Sequence, residues 1–386
     1  LLLISRFPSV SYKSKNHFRI VKMTIFKMKC TLGGDTMTFY RKFALSCAMS
    51  VGLVGAAAAE TTLIHGEAGP NRGARAAALQ WFADQLAERS SGDMKIDIQW
   101  GGALFKSNAA VQSISDGVAD MGTVIAVYYP QEMVGYGIAD LPVNNPDAWV
   151  GMRATDELMR SSDAIQANLA DKGLVYIGTF TTSAVNIGCK DAAIRTADDV
   201  SGLKVRGVGA YGKVFGEMGA NMVRMSIYDA YQGLDTGLID CSQGYSYAVA
   251  ALKQAEVMDS YTLLNWGQVG GVGIFMNADA HDSLSDDQKA LVETVGMEMA
   301  DEFGRTITVA NDKAIASMKD AGVEIITLAD EERAKLVSMG EPFLGKWVEG
   351  ADSVGLPGQA LLDEYRGLIA KYSEERDSMG YPWARN

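Results

Sequence analysis

The chain has 386 residues, 48% of them hydrophobic, with 47 Asp/Glu against 35 Lys/Arg and a net charge of −12. Nine of the basic residues but only one acid lie in residues 1–59, so residues 60–386 carry 26 basic against 46 acidic side chains, net −20. That balance excludes a nucleic-acid surface and attachment to anionic membranes, and it suits a soluble exported protein.

Residues 1–36 are basic and aperiodic and are read as upstream, non-native sequence. Met37 opens a different pattern. Arg41 and Lys42 form a positive start, Phe43 to Val54 an apolar run, and Ala57-Ala58-Ala59 a small-residue cleavage site before Glu60. This predicts a secretory signal peptide over 37–59. A membrane anchor is the poorer reading, because the run is short and no other apolar stretch approaches the ~20 residues a span needs. Cys30 and Cys47 fall in this segment. Cys189 and Cys241 remain, an even pair in an oxidising compartment, which favours a disulfide over two separate buried thiols. The length left suggests two domains.

From Glu60 onward strands and helices alternate. Thr61 to His65 reads as a strand that stops at Gly66-Glu67-Ala68-Gly69-Pro70. A helix is expected from Arg75 to Arg89, with Ala78, Leu79, Phe82 and Leu86 on one face. Met94 to Gln99 alternates as a strand, Leu104 to Gly117 has helical spacing, and Ala119 to Ile125 is a short apolar strand before Tyr128-Tyr129-Pro130. A helix from Trp149 to about Leu169 precedes a strand at Leu174 to Phe180, where the chain is expected to cross into a second domain. This is an α/β chain with mostly parallel sheets.

The second domain is expected to open with Asn186 to Cys189 and to hold a strand at Leu203 to Val205 that ends on Arg206. A glycine-rich turn, a helix, a second strand at Met222 to Met225 and another helix follow. Strand, turn and helix in that order are what anion sites in α/β proteins are built from. Trp266 to Asn277 reads as a strand returning to the first domain. Ser285 and Gln288 form a capping box for some 35 residues of helix, with Gly304 a candidate bend. At roughly 50 Å that helix is long enough to cross both domains. A strand at Val323 to Ile326 and helices near Asp330–Val348 and Pro357–Glu374 finish the chain.

Gly207-Val208-Gly209-Ala210-Tyr211-Gly212 matches a dinucleotide fingerprint. The acidic residue such a site wants about 20 positions later is absent, since Arg224, Met225 and Ser226 stand there. The favoured reading is a glycine turn that lets backbone approach a small anion. No catalytic or metal-ligand motif appears: His65 and His281 are isolated, and paired carboxylates such as Asp301 and Glu302 fall on exposed helix faces. Aromatics cluster at predicted strand ends instead (Tyr128, Tyr129, Tyr211, Tyr245, Tyr247 and Trp266), as in a small-molecule cleft.

Three blocks carry a family resemblance: Asp199 to Arg206, Met218-Gly219-Ala220-Asn221 to Met225, and Tyr228-Asp229-Ala230-Tyr231-Gln232-Gly233-Leu234-Asp235-Thr236-Gly237-Leu238-Ile239-Asp240. With them the chain over 60–386 resembles the substrate-binding subunits of tripartite ATP-independent periplasmic (TRAP) transporters. The resemblance implies a two-lobed clamshell with a long helix crossing both lobes, lobe I spanning 60–178 and 268–309, lobe II 179–267 and 310–386. It implies a periplasmic, monomeric receptor, not an enzyme, that needs no cofactor or metal and delivers a small organic anion to a small and a large permease subunit. Arg206 then anchors the carboxylate through its planar fork, and Glu67, Tyr128, Tyr129, Tyr211, Gln243, Tyr245 and Trp266 are the accompanying candidates. Many members carry Gly-Gln-Glu-Asn after the final Asp, whereas Cys241-Ser242-Gln243-Gly244 stands here, so Gln243 or Tyr245 takes the role of the Asn. No second Arg precedes Thr181-Thr182-Ser183, which argues against a C4-dicarboxylate and for a sugar acid. A sulfonate or oxo acid is the alternative, and an enzyme using the same cleft a remoter one. The Cys at 241 resembles a branch with a partner Cys upstream, here Cys189.

Overall fold

The computed structural model describes residues 60–180 and 183–385. The segment read as upstream sequence, the expected signal peptide, Cys30 and Cys47 therefore lie outside the described residues. The first strands are β1 (Thr61–Gly66), β2 (Met94–Gln99), β3 (Met121–Ile125) and β4 (Leu174–Thr179). Next come β5 (Asn186–Cys189), β6 (Lys204–Arg206), β7 (Asn221–Val223), β8 (Cys241–Gly244) and β9 (Ser260–Leu263). The last two are β10 (Val272–Asn277) and β11 (Glu324–Thr327).

They form two sheets, ordered β2-β1-β3-β10-β4 and β11-β9-β5-β8-β6-β7. Strand β10 runs antiparallel between β3 and β4, so the chain returns to the first sheet where the glycine-rich segment predicted it. Both sheets are mixed but mostly parallel, as expected: among the described strands five pairings are parallel and four antiparallel, the latter all made by β10 and β5. A strand that re-enters a sheet from the other lobe arrives without a crossover helix, and antiparallel pairing needs none.

The helix Asp286–Asp320 is unbroken and carries the expected capping box. It packs on the helices Gly73–Arg89 and Ala148–Ser161 and on β4 at one end, and on Ser246–Ala251 and β11 at the other. The molecule is thus two-lobed, with this helix as the shared spine. At Gly304, the candidate bend, the helix continues without interruption. A Cβ there would stand 3.1 Å from Trp149, so the glycine admits close packing.

Several expectations are corrected. The helix expected at Leu104–Gly117 is only Ala110–Ser115. The apolar spacing before it belongs to a loop pinned by Phe105, whose ring fills the space a side chain on Gly66 or Gly122 would need. The helix expected at Trp149–Leu169 is two, because Ser162 stops the first and caps the second through Ile165 N. The stretch after Asp240, given no element above, is β8, held in the middle of its sheet by β5 and β6. Cys-Ser-Gln-Gly has no β-branched residue, so its extended form comes from its neighbours, not from propensity. The helix Gly358–Met379, expected with the second lobe, packs on Ala148–Ser161, with Tyr372 edge-on to Trp149. Its apolar stripe fits either lobe, and the pattern alone does not choose. In the β5–β8 register Cys189 faces Cys241, and the two are joined as a disulfide.

Candidate functional site

Strand β6 lies beside β8, and its last residue, Arg206, projects where the two parallel strands end. The following glycines serve packing. A Cβ on Gly207 would come within 2.9 Å of Gly212 Cα, and Gly209 takes φ +60°, so strand and helix Gly209–Glu217 meet backbone to backbone. The Val208 amide is already donated to Gln243 Oε1 at 2.9 Å. The dinucleotide reading loses that donor and gains no acidic residue.

Arg206 is 1% exposed. Its Nε donates to the Met225 carbonyl at 3.2 Å, Nη1 to the Gln243 carbonyl at 2.9 Å and Nη2 to the Tyr128 hydroxyl at 3.2 Å. No carboxylate among the described residues pairs with it. A guanidinium has five N–H donors, so one remains on each terminal nitrogen, a fork shaped for a carboxylate. Tyr128 comes from the first lobe, in the turn after β3, and its hydroxyl also accepts from Ile227 N at 3.2 Å. One phenol thereby ties both lobes to the arginine.

Arg206 lines a small inner cavity of about 60 Å³ with Arg75, Tyr128, Tyr228, Tyr245 and Tyr247. Outside it lies a groove of about 1190 Å³, which shares Pro70, Val127, Tyr128, Val208 and Tyr228 with the cavity and opens between the lobes. Burial pushes the Tyr245 and Tyr228 hydroxyls well above the usual tyrosine range, and Tyr247 up to about 12. All three are neutral O–H groups at physiological pH.

Of the eight binding candidates, Arg206, Tyr128 and Tyr245 face this cavity. Gln243 acts through its carbonyl on Arg206 and its side chain on Val208. Glu67 stands behind the cavity. It is paired with Arg75 at 2.8 Å and accepts from Thr123 Oγ1 at 2.6 Å. Tyr129, Tyr211 and Trp266 are not lining residues. Tyr129 donates to the Ser107 carbonyl, Tyr211 to the Leu141 and Gln268 carbonyls, and Trp266 packs edge-on to Tyr211. All three are buried.

Sequence reasoning missed Arg75 and passed over Tyr228. Arg75 sat at the start of a predicted helix and was scored only for apolar spacing. The available signal was its sign: a cation in the first turn opposes the helix dipole and needs a partner. Glu67 is that partner. Burial works against the Arg75 charge, yet Glu67, then Tyr228 and Tyr247, hold its pKa above the ordinary range. Below this pair, His65 Nε2 lies 3.2 Å from Thr123 Oγ1. The threonine's one proton goes to Glu67, so His65 must donate and is the Nε2–H tautomer. Burial drops its pKa to about 4, which keeps it neutral.

Residues 66–350 match the family model described as bacterial extracellular solute-binding protein, family 7. The chain is 28% identical over 264 residues to the 2,3-diketo-L-gulonate-binding periplasmic protein of Escherichia coli, covering 66% of this chain and 77% of that one. A TRAP solute binding protein from Rhodoferax ferrireducens, in complex with copurified benzoate, superposes with a TM-score of 0.74 at 22% identity, covering 81% of this chain and 99% of that one. A second, from Sulfitobacter sp. with bound β-D-galacturonate, gives 0.69 at 20% identity, covering 79% and 99%.

Proposed function

The chain belongs to the bacterial extracellular solute-binding proteins of family 7, and we propose that it captures a small organic carboxylate between its lobes and passes it to the two permease subunits of a TRAP-type transporter. We assign residues 60–178 with 268–309 to one lobe and 179–267 with 310–353 to the other, the last helix returning to the first. The lobes close over the ligand by hinge motion. The leader at 37–59 sends the protein to the periplasm, where it acts as a monomer. Its role is capture and not catalysis. That reading is supported by the family to which the chain belongs, which is one of solute-binding proteins.

The observation that carries the proposal is Arg206. A buried charge with no counter-ion costs several kcal/mol, and a ligand carboxylate on its two remaining donors offsets that cost. The related proteins of known ligand, which bind benzoate, galacturonate and a diketo sugar acid, all take carboxylates. Titration calorimetry tests it. Wild-type protein is expected to bind at least one member of a panel of monocarboxylates, dicarboxylates and sugar acids. Arg206→Ala is expected to weaken that binding about 100-fold or more, from the loss of two charge-assisted hydrogen bonds. An Arg206→Ala protein that unfolds normally and keeps wild-type affinity would falsify the assignment.

A further inference from the structure

Three arginines line the inner cavity; Arg72 is exposed to solvent, and the other two, Arg75 and Arg206, are not equivalent. Arg206 has no ionic partner among the described residues, whereas Arg75 is paired with the fully buried Glu67 at 2.8 Å. Among the described residues, the buried guanidinium of this cavity left without a counter-ion is therefore that of Arg206. Yet Arg75 is not fully satisfied. Its Nη1 is buried with no hydrogen-bond partner, and the residue faces the same cavity. That nitrogen requires an acceptor oxygen, and a neutral one suffices.

The remaining wall limits what else the ligand carries. Among the described residues no Asn, Gln, Asp, Glu, Ser or Thr side chain lines the inner cavity. Its polar groups are arginines, which only donate, and tyrosine hydroxyls. The rest is aliphatic, including Ile125, Val127, Ile227, Val269 and Val272. Such a surface is rich in donors and poor in acceptors. A sugar acid brings several O–H donors, and each one buried without an acceptor costs about tenfold or more in affinity.

Resting on the reading that Arg206 anchors a carboxylate, we infer that the ligand is a monocarboxylate with an aliphatic or aromatic body and one further acceptor oxygen. Arg206 takes the carboxylate, Arg75 Nη1 the second oxygen, and the aliphatic wall the body. Glu67 sets the specificity by cancelling the Arg75 charge.

Calorimetry on the whole protein tests this with four probes: phenylpyruvate and 4-methyl-2-oxopentanoate, apolar acids whose ketone supplies the second acceptor oxygen, and succinate and galacturonate. Wild-type protein is expected to bind one of the two apolar acids at least tenfold more tightly than succinate or galacturonate. In Glu67→Gln the amide still accepts from Gly69 N while Arg75 becomes an unpaired cation. The preference for the apolar acid over succinate is then expected to shrink at least tenfold. Tighter wild-type binding of succinate or galacturonate overturns the inference and leaves the carboxylate anchor standing. An unchanged preference in a folded Glu67→Gln protein overturns the role given to Glu67. Failure of all four probes, with Arg206→Ala indistinguishable from wild type, removes the anchor itself.

Discussion

Asp140 lies buried on the floor of the groove, with Oδ1 accepting from Gly271 N at 2.8 Å and Oδ2 without a partner. Burial raises its pKa from 3.8 to about 7, and the single hydrogen bond only partly opposes that. Between those values the folded protein holds a proton that the unfolded chain has released. The stability Asp140 contributes is thus complete below about pH 4 and lost as pH rises through about 7. His65 has the opposite window, with its stability present above 6.5 and lost as pH falls through about 4. Asp140→Asn keeps an acceptor for Gly271 and cannot ionise. It is expected to raise the melting temperature by several degrees at pH 8 and to leave it unchanged or lower at pH 5. Equal shifts at the two pH values would refute the protonation argument. At this scale the buried guanidinium of Arg206 was legible and that of Arg75 was not. Arg206 stands at a strand end beside glycines, a local signature. Arg75 earns its place through Glu67, eight residues away, and through tyrosines from the other lobe.

At the scale of elements, β4 and the spine helix touch backbone to backbone. A Cβ on Gly178 would come within 2.5 Å of the Gly296 carbonyl oxygen, and one on Gly296 within 2.1 Å of the Ile177 carbonyl oxygen. Neither neighbour is a side chain that can swing away. Glycine to alanine inside a helix normally stabilises by about 1 kcal/mol, but at Gly296 the sign is expected to reverse. Overpacking against fixed backbone costs roughly 1–3 kcal/mol or more. Gly296→Ala is therefore expected to lower the urea midpoint, whereas Gly367→Ala, in open space on the last helix, is expected to hold or raise it. A neutral Gly296→Ala would show that the spine can slide on β4. The spine itself was legible because its apolar period and capping box are local. The strands β8 and β9 were not, because their extended form is imposed by strands on either side. Which lobe receives the last helix is decided by Trp149 and Tyr372, far apart in sequence.

At the scale of the whole molecule, two electrostatic effects oppose each other. Residues 60–386 carry a net charge of −20, which repels an approaching carboxylate. The groove leading to Arg206 is lined by Lys106, Lys213, Arg224 and Lys346, with Asp140 and Asp229 the acids among its lining residues. Asp140 is half neutral near pH 7, which tips the local balance further toward positive. Fields of near charges act within about 10 Å at 0.1 M salt, and the distant negative surface is screened first. The groove should therefore govern encounter. Stopped-flow measurement of intrinsic tryptophan fluorescence, to which Trp347 in the groove contributes, follows it, and the signal lost in Trp347→Phe identifies that residue's share. The association rate is expected to fall several-fold between low and high salt, with the dissociation rate changing little. Lys106→Gln combined with Lys213→Gln and Lys346→Gln is expected to slow association and flatten that dependence. An association rate that instead rises with salt would mean that the overall negative charge prevails and that the groove does not steer its ligand.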